Sequence, residues 1–189
     1  IKRMSVLEFR PEGIYCSQGD FYIDPWRPVE RALITHGHSD HARYGSKKYL
    51  CTEMAAPVIR HRLGDIKIET IPYEKEINLN GVNISFHPAG HVPGSAQILV
   101  EIKGERWVVS GVYKIVNDWL STPFEPVKCH SFISECTFGL AAFNWLPQEE
   151  IFREINNWWL QCISEGITPI LAAYGLGKAQ RVISGIDSN

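Results

Sequence analysis

The stretch Ile34-Thr-His-Gly-His-Ser-Asp-His41 constrains this chain more than any other, because it sets three imidazoles and a carboxylate within six positions, directly after the apolar residues Ala32 to Ile34. Such a cluster is costly to bury unless something binds it. On extended backbone His36 and His38, two apart, point the same way, while Asp40 and His41 fall in the turn that follows. Neutral imidazole suits zinc, manganese or iron, and an added carboxylate suits a centre that keeps an open coordination position. The competing reading is a polar turn with hydrated histidines, against which the H-x-H-x-D-H spacing argues.

The rest of the chain is compatible with a folded protein around such a centre. A length of 189 residues holds one domain with a real core, or one domain and part of another. An apolar content of 44% and a charged content of 21% are ordinary for a globular protein. The net charge of −2 argues against a wholly basic nucleic-acid binder, and leaves room for a local basic rim. The five cysteines form no C-x-x-C pair and their odd count fits a reducing compartment, so Cys16, Cys51, Cys129, Cys136 and Cys162 read as small buried hydrophobes. No apolar run approaches a membrane span and no signal sequence opens the chain, so the expectation is a cytoplasmic protein.

Along the chain, Ile14-Tyr-Cys16 and Phe21-Tyr-Ile23 read as a hairpin turning at Gly19-Asp20, which delivers Asp24 to a strand end before Pro25. Tyr49 to Cys51 reads as a short strand, followed by a helix from about Thr52 to Leu63 with Gly64 as its stop and His61 on its solvated face. Alternation over Ile66–Ile71 and Val82–Phe86 predicts two half-buried strands, with Asn80-Gly81 turning into the second. That second strand runs into a glycine-containing loop presenting His91, while His87 reads as structural. Ala96–Ile102 and Arg106–Ser110 predict two strands joined at Lys103-Gly104, and residues 116–126 read as a loop. Phe132–Glu135 predicts a short buried strand ending in an acid. Pro147 to Glu165 is the clearest helix, with Glu149 and Glu150 at its positive end, Gly166 as its stop, and Ile151, Ile155, Trp158 and Cys162 as a core-facing stripe. A buried strand is expected over Ile167–Ala172. The glycine-bearing loop after it opens a helix whose free N–H groups, with Lys178 and Arg181, favour phosphate.

Five segments carry a family resemblance: Ile34–His41, Ala89-Gly-His-Val-Pro-Gly-Ser95, Val108-Val-Ser-Gly-Val-Tyr-Lys114, Ser134-Glu-Cys-Thr-Phe-Gly139 and Tyr174-Gly-Leu-Gly-Lys-Ala-Gln-Arg181. In this order they resemble the β-CASP nuclease branch of the metallo-β-lactamase fold, and most of all the bacterial ligase-associated DNA exonucleases. The resemblance implies an α/β fold: the N-terminal part of a metallo-β-lactamase αββα sandwich over residues 1–137, and the start of a β-CASP insert over 138–189. It implies that His36, His38 and His91 hold one metal ion, and that Asp40 and His41 contribute to a second. Asp24 matches an acidic residue beside the ligands, and Glu135 the acid of the first insert motif, able to orient a ligand or manage a proton. Asp40, Asp24 and Glu135 are thus the candidate catalytic carboxylates.

One position departs from the pattern. The family's bridging aspartate falls immediately after Gly111, where this chain has Val112. A valine has no donor atom, so the expectation is one well-held zinc rather than two, with manganese as the substitute metal, and weakened activity. The resemblance also places a last metal histidine and the closing strands beyond Asn189, so the chain is expected to be truncated, and to expose apolar surface that favours a homodimer.

The function expected from these readings is metal-dependent phosphodiester hydrolysis of DNA from an end, in association with a DNA ligase, with Lys114, Lys178 and Arg181 holding flanking phosphates. RNA is the alternative substrate within the same branch. Two further alternatives are a hydrolase of small esters, lactones or thioesters, against which the Ser134-Glu135 motif counts, and a catalytically silent nucleic-acid-binding or assembly module, for which Val112 counts.

Overall fold

The computed structural model of the protein describes residues 5–187, which divide between Glu135 and Cys136 into two compact units. In the first unit β1 (Glu8–Arg10), β2 (Gly13–Cys16), β3 (Phe21–Ile23), β4 (Arg31–Leu33), β5 (Lys48–Thr52) and β6 (Ile68–Ile71) form one sheet in sequence order. The first three strands pair antiparallel, and β3 to β6 run parallel. Parallel neighbours need a crossover, and between β5 and β6 it is the helix α1 (Ala56–Leu63). Pro57 occupies its first turn, and Gly64 ends it at φ 76°. A second sheet has the order β11-β10-β9-β8-β7, from β7 (Ile77–Leu79), β8 (Val82–Pro88), β9 (Ala96–Ile102), β10 (Glu105–Val109) and β11 (Ser131–Ile133). All its pairs are antiparallel except β10–β11.

Alternation decides which faces meet. Ile84, Phe86, Ile98, Val100 and Val109 of the second sheet bury against Phe21, Ile23, Leu33 and Leu50 of the first, which makes the main core. The other face of the first sheet packs Ala32, Tyr49 and Cys51 under Ala56 and Ile59 of α1. On the outer face of the second sheet the loop after β10 supplies cover: Tyr113 lies 5.4 Å from Phe124 and 6.0 Å from Phe132, centroid to centroid, and Gln97 donates to the carbonyls of Pro88 and Glu125.

Several sequence readings change. The strand expected over Phe132–Glu135 is Ser131–Ile133; it is an edge strand with Phe132 47% exposed, because only β10 flanks it. Leu79 and its neighbours, unassigned from sequence, pair with Val82–Ile84 as β7. Cys16, Cys51 and Cys162 are buried as expected, whereas Cys129 is half-buried and Cys136 exposed.

In the second unit, α2 (Gln148–Ser164) matches the predicted helix, and α3 (Lys178–Gly185) packs on it, with Gly185 close to the Phe152 ring and Asn156 donating to the Gly185 carbonyl at 3.0 Å. The α2 stripe is less buried than its spacing predicts: Cys162 is buried, yet Trp158 is 40% exposed. Ile167–Ala172 is not a strand, and Ile170 is 83% exposed. A β-rich apolar run becomes a strand only where a neighbouring ladder accepts it, and among the described residues none does.

Candidate metal centre

The candidate site gathers where strand ends meet loops. Asp24 follows β3, the His36–His41 loop follows β4, His91 follows β8, Gly111 follows β10 and Glu135 follows β11. Pairing directions put these strand ends on one edge of each sheet, since β3 and β4 run parallel, as do β10 and β11, while β8 and β10 both oppose β9, and the His36 and His91 rings, 5.0 Å apart, bring the two edges together. β4 stops at Leu33, so His36 and His38 sit on loop backbone rather than on the extended strand expected. The turn predicted at Asp40-His41 is present, with the His38 carbonyl accepting the N–H groups of His41 and Ala42 at 3.2 and 2.8 Å.

Three ring nitrogens converge. His36 Nε2 lies 3.0 Å from His38 Nδ1, His91 Nε2 lies 3.3 Å from the same atom, and all three lie within 4.8 Å of one another. Among the described residues this is the one group of three or more donors that could share an ion. The spacing fits a metal: nitrogens about 2.0–2.1 Å from a tetrahedral zinc stand roughly 3.3 Å apart. Three neutral imidazoles have too few protons of the right direction to satisfy one another, whereas lone pairs aimed at one point satisfy a cation.

The loop is braced from behind. His36, fully buried, turns Nδ1 to Thr35 Oγ1 at 3.0 Å, and that hydroxyl donates to Asp24 Oδ2, which leaves His36 Nε2 as the acceptor nitrogen. Asp24 Oδ1 accepts the Thr35 N–H at 2.8 Å, and Asp24 adopts φ 43° to reach it. Gly111, at φ 53°, comes so close to Thr35 that a Cβ there would sit 2.5 Å from Oγ1. Val112, next in the chain, has no donor atom to offer a metal. The His91 loop is stapled by Ser95 Oγ, which accepts the N–H groups of His91 and Val92 at 3.1 and 3.2 Å.

Thr35 and Ser95 were not singled out from the sequence. A hydroxyl residue flanking a ligand carries no signal until its partner is located.

Electrostatics follow from burial. Burial and the neighbouring imidazoles of His41, His91 and His38 hold the pKa of His36 well below its ordinary value. Burial, with His38 and His41 nearby, lowers His91 to about 4. Burial opposes charge at His41 too, but the Asp24 hydrogen bond and the carboxylates of Asp24, Glu135 and Asp40 outweigh it and raise its pKa. His41 Nδ1 lies 2.7 Å from Asp24 Oδ2 and Nε2 lies 2.8 Å from Glu135 Oε1. Asp40, 67% exposed at its side chain, stands 3.6 Å from His41 Nε2.

The candidate phosphate-holding residues fare differently. Lys114 Nζ lies 3.5 Å from the buried Asp118 carboxylate, which also accepts the N–H groups of Leu120 and Ser121. In the second unit Arg181 donates to Gln148 Oε1 at 2.6 Å, so it braces α3 on α2 rather than reaching outward. Gln180 Oε1 accepts the Gly177 N–H at 2.8 Å, taking up one of the donors expected to meet phosphate. Lys178 is exposed, 4.7 Å from the Tyr174 ring centroid. His61 is exposed, as read from sequence.

No family model matches the chain. A probable DNA ligase of Opitutus terrae is 29% identical over 181 residues, which is 94% of this chain and 18% of that protein. The endoribonuclease YSH1 of Kluyveromyces lactis is 30% identical over 123 residues, 64% of this chain and 16% of that one. The chain resembles the β-CASP nucleases of the metallo-β-lactamase fold. Its two mixed sheets, with histidine loops at one end of the sandwich, have that architecture. A solved Enterococcus faecalis protein of unknown function shares the fold at a TM-score of 0.50 and 9% identity, over 69% of this chain and 39% of that one. This β-CASP-like chain spans less than a fifth of the length of either curated relative. No helix among the described residues is long and apolar enough to cross a membrane.

Proposed function

We propose that this chain forms the metal-binding part of a nuclease that hydrolyses phosphodiester bonds of DNA, working from an end. The observation that carries this reading is the convergence of His36, His38 and His91 nitrogens, from loops more than fifty residues apart in sequence, on a point they can share. Zinc bound there, or manganese in its place, would lower the pKa of a water to roughly 7 and so make hydroxide available near neutral pH.

The chain's own residues do the rest. Asp24 fixes the Thr35 hydroxyl, which holds the His36 ring so that its lone pair faces the shared point. Glu135 and Asp24 grip His41 from both sides, and Asp40, facing solvent beside it, is the carboxylate placed to meet a proton from outside. Lys178, exposed at the start of α3, is a candidate to hold a nucleic-acid phosphate. The likeness to a probable DNA ligase over most of this chain supports DNA as substrate, and a ligase function in partnership with this one. RNA is the second reading, favoured by the likeness to an endoribonuclease over 123 residues.

End-labelled DNA and RNA oligonucleotides incubated with the protein and added zinc or manganese test both. Shortening of the DNA, lost in His38→Ala, is expected; cleavage of RNA alone supports the second reading, and binding without cleavage of either overturns the nuclease proposal.

A further inference from the structure

Resting on the metal-site reading but not on cleavage, we infer that this chain builds a one-ion centre, in which His41 has left the ligand set to become a cross-link between Asp24 and Glu135. Two-ion hydrolytic centres of this fold need donors for a second cation about 4 Å from the first, with a carboxylate bridging the two. Among the described residues each such donor is missing or committed. Val112, which has no donor atom, stands where the resemblance puts the bridging carboxylate, and Gly111 before it packs on Thr35. His41 has both nitrogens against carboxylates, at 2.7 and 2.8 Å, and its ring lies against His36, 4.0 Å between centroids. Asp40, at 67% side-chain exposure, keeps its carboxylate 3.6 Å from His41 Nε2 and by itself supplies a single ligand. The three-donor group found among the described residues accordingly omits both Asp40 and His41.

The arrangement has a use of its own. Asp24 receives Thr35 and His41 together, so one carboxylate braces the His36 ring and the turn that carries His38. Glu135, two residues beyond β11, ties that turn to the second sheet through His41. His41 thereby joins the two sheets behind the three ligand histidines, and acts on the metal through their positions.

Zinc titration of the metal-free 189-residue chain by calorimetry, with metal analysis after dialysis, tests this without nucleic acid. One zinc per chain is expected. Val112→Asp should raise the count to two, because an added carboxylate offers a stronger donor for His41 to join. His41→Gln should keep one zinc and weaken it roughly tenfold to a hundredfold, the effect of a residue that orients ligands, while His38→Ala abolishes tight binding. Two zincs in the unaltered chain, or loss of a whole equivalent in His41→Gln with circular dichroism unchanged, overturns the proposal. A normal one-zinc result beside absent cleavage would leave this inference standing and remove the nuclease reading.

Discussion

At the scale of single residues, the histidine cluster trades stability for binding capacity. His91, with its pKa lowered to about 4, resists protonation in the folded chain, whereas an unfolded histidine takes up a proton near 6.5. The unfolded state therefore binds protons first as pH falls, and the contribution of His91 to stability, whole above about 6.5, is lost towards pH 4. Denaturant melts of the chelator-treated protein at pH 7 and 4.5 should show this loss, and His91→Asn should reduce it by up to roughly 3 kcal/mol, at about 1.4 kcal/mol per pKa unit. An unchanged pH slope in the variant would count against the burial argument. Thr35 makes a second prediction. Its hydroxyl links Asp24 to His36 Nδ1, so Thr35→Val keeps shape but frees the ring. Zinc affinity should fall roughly tenfold to a hundredfold, read by competition with a fluorescent chelator, with far-ultraviolet circular dichroism preserved.

Among the elements, the loops are held as firmly as the strands. The loop from β8 to β9 crosses the turn before α1 at Gly94, whose φ of 81° suits glycine and whose Cβ, if present, would lie 2.4 Å from the Ala55 nitrogen. Thr52 Oγ1 donates to the Gly94 carbonyl at 2.7 Å and also accepts the Ala55 N–H, so one hydroxyl joins both turns. Gly94→Ala forces backbone against backbone, and is expected to cost on the order of 2–4 kcal/mol. Thermal melting would register it, together with weaker zinc binding, because His91 lies in the same loop. A melting temperature within a degree of the parent would refute the contact. In the second unit the elements are less enclosed: Phe138, Phe143 and Trp145 pack on one another yet remain 57%, 45% and 66% exposed.

For the whole molecule, an ion held by His36, His38 and His91 would be coupled to the fold. A ligand that binds the native state at a hundred times its Kd adds about 2.7 kcal/mol, and in a chain of this size that corresponds to a rise of roughly 5–10 °C in the melting transition of the first unit. Differential scanning fluorimetry with zinc and then with excess chelator should show the rise and its reversal. His38→Ala should show neither, and a zinc-dependent shift surviving in that variant would place the ion elsewhere.

The sequence alone set out the H-x-H-x-D-H cluster as a candidate metal centre, and it determined those elements whose signals are local. The hairpin at Gly19-Asp20, the turns at Asn80-Gly81 and Lys103-Gly104, and α2 with Pro147 before it and Gly166 behind depend on neighbouring residues and stand as expected. Tertiary structure decided whatever needs a distant partner. It made Ile167–Ala172 an exposed segment for want of a ladder, gave β11 an edge position, and turned Arg181 and Lys114 inward to Gln148 and Asp118. It also chose Thr35 as the link between Asp24 and His36, and set His41 between two carboxylates, because a side chain's role follows from what folding brings to it.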